Sequence, residues 1–292
     1  MLESTDETFE GFIAACHENP KKCPLAALHS SPEESIEAIQ ALFEKLKSEP
    51  LPVFIEGAPP FLIDYSILNA QVVSTLYRPN SYQGLAISLA GFLQGDVEPW
   101  IQVFGNASGI PQEAEAVMGI RCGDKIPRAD KFSELDELEA EFRETSKYFH
   151  GFARGPYVYA CARWPFEAKE RYEGDFQFET ANPILFIGNT DDPVTPLAAA
   201  KNMSSGIEGS VVLQNNGFGH TSLSQPSNCT NEVIAKYFAD RTLPEDGKVC
   251  EPNVPLFGDD EEIPADGGEG GDDGEEGGDD GEEEDGETYE EE

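Results

Sequence analysis

Acidic residues and a histidine follow two apolar segments in the last third of the sequence, and together they could do acid–base chemistry. Asp191 and Asp192 lie in GNTDDPVTP, and His220 lies in NNGFGHTS, 28 positions after Asp192. An aspartate that accepts a hydrogen bond from histidine Nδ1 fixes the imidazole tautomer and leaves Nε2 free to activate a nucleophile. We therefore expect an acid–base pair formed by His220 and one of the two aspartates. The alternative is an ordinary turn next to an uninvolved loop histidine.

Two strands and two helices are expected to position these side chains. Pro183–Gly188 and Ser210–Gln214 are short apolar runs ended by turns, which is typical of strands buried on both faces. A helix is expected from about Leu197, and another over Asn231–Asp240. This order predicts the last units of a parallel α/β sheet, whose ligands bind at the carboxyl ends of the strands. Since two units cannot form a stable parallel sheet alone, we expect the other strands to come from elsewhere or from upstream sequence.

Residues 1–180 are expected to be mainly helical. In the clearest segment, Ser31 and Glu34 form a capping box around Pro32, and an apolar stripe runs on until Pro50. Three further helices are predicted over Ile63–Leu76, Ser81–Leu93 and Asp130–Phe149. We therefore expect three regions: a helical region over residues 1–180, an α/β region over residues 181–258 and a tail over residues 259–292.

The charge is concentrated in that tail. The 292 residues include 57 acidic and 19 basic side chains, a net charge of −38, and residues 259–292 hold 20 of the acids, nine glycines and no basic residue. The other 258 residues keep 37 acids against 19 basic side chains, a net charge of −18. We expect the tail to be disordered and to make at most weak contacts with cations or basic proteins. The acidic balance argues against nucleic-acid binding, and no run of about 18 apolar residues suggests a membrane span.

Cysteines and glycosylation sequons indicate an oxidising compartment. The chain has six cysteines without CxxC spacing, and it has sequons at Asn106, Asn202 and Asn228. The alternative is six reduced, buried thiols and sequons that occur by chance. The segment MLESTDETFEGF does not have the pattern of a signal peptide. No glycine-rich phosphate loop or metal-ligand spacing is present, so we expect no cofactor and no metal.

Several motifs resemble one enzyme family. DPVTP, GHTS, PSNC and TLPxxGxxC, together with FxxFIAAC, GIRCGD and CARWP upstream, are similar to the C-terminal domain of tripeptidyl aminopeptidase-like (TAP-like) α/β-hydrolases. These are secreted or vacuolar-type serine peptidases related to prolyl aminopeptidases. The resemblance covers roughly residues 5–257. It implies the last parallel strands and helices of an α/β-hydrolase fold, with residues 1–180 as a helical cap or lid.

The resemblance also implies roles for individual residues. Asp192 would be the triad acid and His220 the base, with Asp191 as a turn neighbour. The disulfides would join Cys16 to Cys23, Cys122 to Cys161, and Cys229 to Cys250.

The chain departs from the family pattern at the nucleophile, because it contains no G-x-S-x-G motif. Ser88 in GLAISLAG is the nearest imitation, and it lacks the glycine spacing. We therefore expect a truncated member that lacks the N-terminal half of the sheet and is inactive alone. If completed by that half, it would release peptides from the N-terminus or cleave a small ester, in the secretory pathway. The alternative is a non-catalytic binding or scaffold protein derived from a hydrolase.

Overall fold

Helices account for most of the described residues before residue 163. The computed structural model describes residues 2–55, 59–104, 114–124, 128–153 and 158–257. The helices in this region are α1 (Thr5–Glu18), α2 (Leu25–Leu28), α3 (Pro32–Leu46), α4 (Tyr65–Leu76), α5 (Tyr82–Leu93), α6 (Glu98–Phe104), α7 (Ala114–Asp124), α8 (Asp136–Thr145), α9 (His150–Ala153) and α10 (Ala160–Ala162). Two short strands, β1 (Leu51–Val53) and β2 (Phe61–Ile63), pair antiparallel between α3 and α4.

Helix α3 begins where the sequence predicts, with a changed capping partner. The Ser31 hydroxyl accepts a hydrogen bond from Glu34 N at 3.3 Å, and Pro32 occupies the first helical position. The Glu34 carboxylate accepts from Ser30 N at 2.9 Å and from the Ser30 hydroxyl at 2.8 Å, instead of from Ser31 N. Both residues of the predicted capping box therefore accept a hydrogen bond from a backbone N–H group at the start of the helix. Ser31 accepts from Glu34, as predicted, whereas Glu34 accepts from Ser30 and not from Ser31.

The single helix predicted over Asp130–Phe149 is wrong. A short 3₁₀ turn precedes α8, which ends at Thr145. The reason is a distant residue, since Asp6 on α1 accepts hydrogen bonds from the Ser146 hydroxyl and from Lys147 N, both at 2.6 Å. These charge-assisted bonds fix the backbone after α8 in a non-helical path.

The α/β region has the expected order of elements, and it contains one strand that the sequence pattern does not predict. Strand β3 (Leu185–Asp191), helix α11 (Leu197–Ser205), strand β4 (Val211–Phe218) and helix α12 (Asn228–Asp240) precede β5 (Val249–Cys250). The three strands are parallel in the order β3-β4-β5. Both long strands extend beyond their predicted ends, to Asp191 and Phe218. The register of β3 against β4 shifts between Asn189 and Asp191, which affects the position of the two aspartates.

The hydrophobic core joins the helices to the end of the α/β region. Its fully buried members include Phe9, Phe12 and Tyr82, and Phe257 packs on Phe12 with ring centroids 6.2 Å apart. Helix α1 also reaches the loop after β3, where the Thr5 hydroxyl donates to the backbone oxygen of Pro193 at 2.6 Å. The helical region therefore contacts the loop that carries the acidic residues.

Three disulfides are present, in the pairing that the resemblance implied. They join Cys16 to Cys23, Cys122 to Cys161, and Cys229 to Cys250. None of the described helices is long and apolar enough to cross a membrane. The acidic tail 259–292 lies outside the described residues.

Candidate active site

The structure brings one of the two aspartates to the histidine. Asp192 follows β3 directly, and its Oδ2 and Oδ1 lie 3.1 Å and 3.3 Å from Nδ1 of His220. Asp192 is buried, with 2 % of its surface exposed, whereas the His220 side chain is 34 % exposed. The carboxylate is thus on the inner side of the imidazole. This is the arrangement in which an aspartate orients a general base.

Four further hydrogen bonds hold the Asp192 carboxylate. Oδ1 accepts from Val194 N at 3.0 Å and from Thr195 N at 2.9 Å. Oδ2 accepts from the Thr195 hydroxyl at 2.7 Å and from Thr221 N at 3.2 Å. The Thr195 hydroxyl also lies 3.1 Å from His220 Nδ1. Donors converge on the buried carboxylate from both loops, so the position of the acid is defined before any substrate binds.

Asp191 has a different environment, and its carboxylate is not among the hydrogen-bond partners of the His220 ring. Its backbone oxygen accepts a hydrogen bond from Gly219 N at 3.0 Å. Burial raises the pKa of its carboxyl to about 6, and the negative charge of Glu7 adds to the effect. Geometry therefore favours Asp192 as the partner of His220. Asp191 instead links the two loops through its backbone.

The backbone around His220 has little freedom. Gly219 has φ +87°, and a Cβ at this position would lie 2.6 Å from Pro79 Cδ and 2.8 Å from Tyr77 O. His220 N donates to the same Tyr77 oxygen at 2.9 Å, and the Tyr77 ring packs against the imidazole with centroids 5.1 Å apart. Thr221 has φ +72°, which is rare for a β-branched residue and is found mainly where a site requires it. These contacts determine the direction of the imidazole.

Two buried asparagines and a buried threonine form a chain of hydrogen bonds that supports the histidine loop. Asn189 on β3 donates from Nδ2 to Gly219 O at 2.9 Å and to Thr221 O at 2.6 Å, the carbonyls on either side of His220. Asn215 on β4 donates to Asn189 Oδ1 at 3.1 Å. The Thr230 hydroxyl donates to Asn215 Oδ1 at 2.9 Å. Asn189, Asn215 and Thr230, hereafter the amide relay, thus connect the start of α12 to the histidine loop.

A disulfide stabilises the far end of the amide relay. Cys229 precedes Thr230 in α12, and its partner Cys250 is the β5 residue that pairs with Asn215 in the sheet. The bridge therefore holds α12, β5 and β4 together where the amide relay begins.

The His220 side chain is partly exposed. Among the described residues, Nε2 of His220 has no hydrogen-bond partner. A cavity of about 340 Å³ lies beside Asp192, Thr195 and Thr221, and His220 is not among its described lining residues. Ser88 is 1 % exposed on α5, so it is not available as a nucleophile to a substrate. No group of three or more potential metal ligands occurs in the described stretches of the chain.

Two of the three predicted glycosylation sites lie on described, exposed residues. Asn106 lies outside the described residues. Asn202 is exposed on α11, and Asn228 is the exposed first residue of α12. Their glycosylation stays a prediction.

Several supporting residues are not evident from the sequence. Thr195 follows Asp192 by three positions, a spacing that signals a local side-chain cap and could have been recognised. Asn189 and Asn215 directly follow the predicted strands, where asparagine is typical of turns. Tyr77 is 143 positions from His220, and no local pattern links the two residues.

Comparison with known proteins identifies the segment that contains this geometry. Residues 148–250 match the family model described as TAP-like protein. This segment is similar to TAP-like domains. It includes Asp192, His220 and the amide relay, and its parallel strands with their helices are the C-terminal part of an α/β-hydrolase fold. The resemblance seen in the motifs is confirmed here.

Curated relatives of the chain are hydrolases at low identity. Carboxylesterase B from Mycobacterium tuberculosis is 22% identical over 253 residues, which cover 84% of this chain and 46% of that protein. A protein named as a hydrolase, YuaR, from Escherichia coli is 24% identical over 243 residues, which cover 81% of this chain and 46% of the relative. The similarity therefore extends beyond the TAP-like domain into the helical region. The chain spans about half the length of these relatives.

Proposed function

We propose that Asp192 and His220 are the acid and base of a serine hydrolase that cleaves peptide bonds near a free N-terminus. The observation that carries this proposal is the contact of 3.1 Å between a buried carboxylate and His220 Nδ1, at the carboxyl ends of adjacent parallel strands. The TAP-like domain supports peptide hydrolysis, and the name of the mycobacterial relative supports ester hydrolysis as the closest alternative.

Each side chain has a step in the proposed reaction. Nε2 of His220 accepts the proton of a serine hydroxyl as its oxygen attacks the substrate carbonyl, and it returns that proton to the leaving amine. Asp192 keeps Nδ1 protonated and stabilises the imidazolium that forms. Water then hydrolyses the acyl-enzyme by the same route, and the serine is restored.

The serine itself is proposed to come from polypeptide outside residues 1–292. The sequence contains no G-x-S-x-G motif, and no described hydroxyl lies within hydrogen-bond distance of His220 Nε2. Loss of a triad serine lowers turnover by about 10⁴–10⁶-fold. We therefore expect the 292-residue chain to be inactive by itself.

A turnover assay tests this proposal. The 292-residue chain and the protein isolated from its native cells are each incubated with a tripeptidyl p-nitroanilide and with p-nitrophenyl butyrate. We expect no turnover by the 292-residue chain above that of its His220→Gln variant, and turnover of the anilide by the native protein. Hydrolysis by the 292-residue chain that depends on His220 would contradict the proposal. So would native activity that His220→Gln leaves unchanged.

We also propose that the protein folds in the secretory pathway. The three disulfides support an oxidising compartment. Digestion with peptide-N-glycosidase, followed by mass spectrometry, is expected to reveal glycans on exposed sequons such as Asn202 and Asn228. Unmodified asparagines and free thiols in the native protein would contradict this localisation.

A further inference from the structure

A second cavity lies beside the aromatic neighbour of His220. It has a volume of about 370 Å³, within the range of small-molecule sites, and it is formed by the end of α4, the turn that follows and the end of α6. Tyr77 lines this cavity while its ring also packs on the His220 imidazole. A group bound next to Tyr77 in this cavity would therefore be separated from His220, the proposed base, by a single side chain.

A cation with no described side-chain partner lines this cavity. Arg78 is exposed, and its guanidinium makes no ion pair or hydrogen bond with any described side chain. No aspartate or glutamate is among the described residues that line the cavity. Residues 1–258 carry a net charge of −18, so an arginine at a cavity whose described lining contains no acid is unusual for this chain.

The backbone of Arg78 is fixed, which leaves its side chain as the adjustable element. Arg78 N donates to Thr75 O at 3.0 Å, and Arg78 O accepts from Ser81 N at 2.8 Å. The neighbouring Tyr77 oxygen is held by His220 N at 2.9 Å. The histidine loop and the arginine are therefore positioned by the same short segment.

The other walls of the cavity complement an anion attached to an apolar group. Ser74 supplies a hydroxyl, and Gln71 supplies an amide that is oriented by its bond to Thr75 Oγ1 at 3.1 Å. Tyr77 and Phe104 supply aromatic surface. A lining that contains both donors and aromatic rings fits a carboxylate next to an apolar side chain.

We propose that this cavity is a substrate subsite in which Arg78 binds a carboxylate of a short peptide, beside His220. This assignment rests on the function proposed above and narrows its substrate class to peptides that carry a carboxylate close to the scissile bond. A guanidinium forms two parallel hydrogen bonds with a carboxylate, which an amide cannot reproduce. The carboxylate comes from either the peptide C-terminus or an acidic side chain.

Calorimetric titration of the 292-residue chain tests the subsite with three peptides. Ala-Ala-Phe carries a C-terminal carboxylate, Ala-Ala-Phe amide carries none, and Ala-Glu-Phe amide carries one on a side chain. We expect at least one carboxylate peptide to bind about tenfold more tightly than Ala-Ala-Phe amide. Whichever of the two binds more tightly identifies the source of the carboxylate.

Variants test whether peptide binding depends on Arg78 and not on a general effect of removing an exposed arginine. Arg78→Gln is expected to lower the affinity for the tighter-binding carboxylate peptide about tenfold and to leave the affinity for Ala-Ala-Phe amide unchanged. Arg78→Lys should retain some of the affinity for the carboxylate peptide. The control is Arg143→Gln, since Arg143 is an exposed arginine on α8 that pairs with Glu139 at 3.9 Å. It should leave all three affinities unchanged, and thermal melts establish that each variant is folded.

Two results would overturn the subsite. They are equal binding of all three peptides by the wild type, and unchanged affinity in Arg78→Gln. The readout is binding, so it is independent of the turnover assay and of His220→Gln. Arg78-dependent binding without native turnover would reject hydrolysis and keep the carboxylate site, and the reverse outcome would reject only the subsite.

Discussion

Replacing Asn189 by alanine tests whether the amide relay supports the histidine loop. Asn189 is 2 % exposed, and its side chain donates two hydrogen bonds to the carbonyls on either side of His220. Its Oδ1 also accepts a hydrogen bond from Asn215, which is fully buried. The substitution removes three bonds at once and leaves Asn215 Nδ2 without a partner inside the protein.

The expected loss of stability follows from these contacts. An unsatisfied buried donor costs about 1–3 kcal/mol, and each of the two lost hydrogen bonds to a carbonyl costs about 0.5–1.5 kcal/mol. We therefore expect Asn189→Ala to lower the free energy of unfolding by about 3 kcal/mol. The matched control is Asn216→Ala on the same strand as Asn215, where an exposed asparagine bonds to Glu251 and Thr190. It should cost less than about 1 kcal/mol.

Urea unfolding followed by circular dichroism measures both variants. Nuclear magnetic resonance of the imidazole adds a reading of the site, because the far-downfield Nδ1 proton of His220 reports its contact with Asp192. We expect this resonance to persist in Asn216→Ala and to weaken or disappear in Asn189→Ala. Equal stability losses in the two variants, with an unchanged imidazole resonance, would refute the supporting role of the amide relay.

Three further predictions concern the surroundings of the site. Burial raises the pKa of the Asp191 carboxyl from 3.8 to about 6, so its ionised form destabilises the fold as the pH rises through 6. Thermal melts should therefore show Asp191→Asn to be more stable than the wild type near pH 7.5, by about 1 kcal/mol in the free energy of unfolding after solvent screening, and equally stable near pH 4; a difference that does not change with pH would contradict this. Serine in place of Cys229 and Cys250 opens a bridge between residues 21 apart, which should lower the unfolding free energy in urea by about 3 kcal/mol, and no loss would contradict this. Gly247→Ala, at φ +75° in open space, should cost about 1–2 kcal/mol, whereas Gly219→Ala should cost at least about 1 kcal/mol more because its Cβ meets Pro79; equal denaturation midpoints would contradict this.

The proximity of Asp192 and His220 could be predicted because the signals for it in the sequence are mainly local. Apolar runs that end in turns predict strands, and the carboxyl ends of parallel strands converge, so Asp192 and His220 could be placed together. The choice between Asp191 and Asp192 could not be made from the pattern of residues alone. It depends on the register shift between Asn189 and Asp191, which comes from pairing with β4.

The misjudged boundaries have long-range causes. Asn189 and Asn215 resemble turn residues, yet they lie inside strands, where Asn215 Nδ2 donates to Asn189 Oδ1 and the Asn189 amide donates to the histidine loop. The helix predicted to continue through Ser146 ends there because the carboxylate of Asp6, 140 positions away, captures its hydroxyl. Tertiary hydrogen bonds override local propensity at these positions.

Labelling with a fluorophosphonate probe tests most directly whether Asp192 and His220 belong to a serine hydrolase. The probe modifies only serines that an adjacent base activates, and mass spectrometry of the native protein identifies the modified peptide. We expect labelling of a serine outside residues 1–292, its loss in His220→Gln and its retention in the control His29→Gln. Labelling of a serine within residues 1–292, or labelling that His220→Gln leaves intact, would contradict the account.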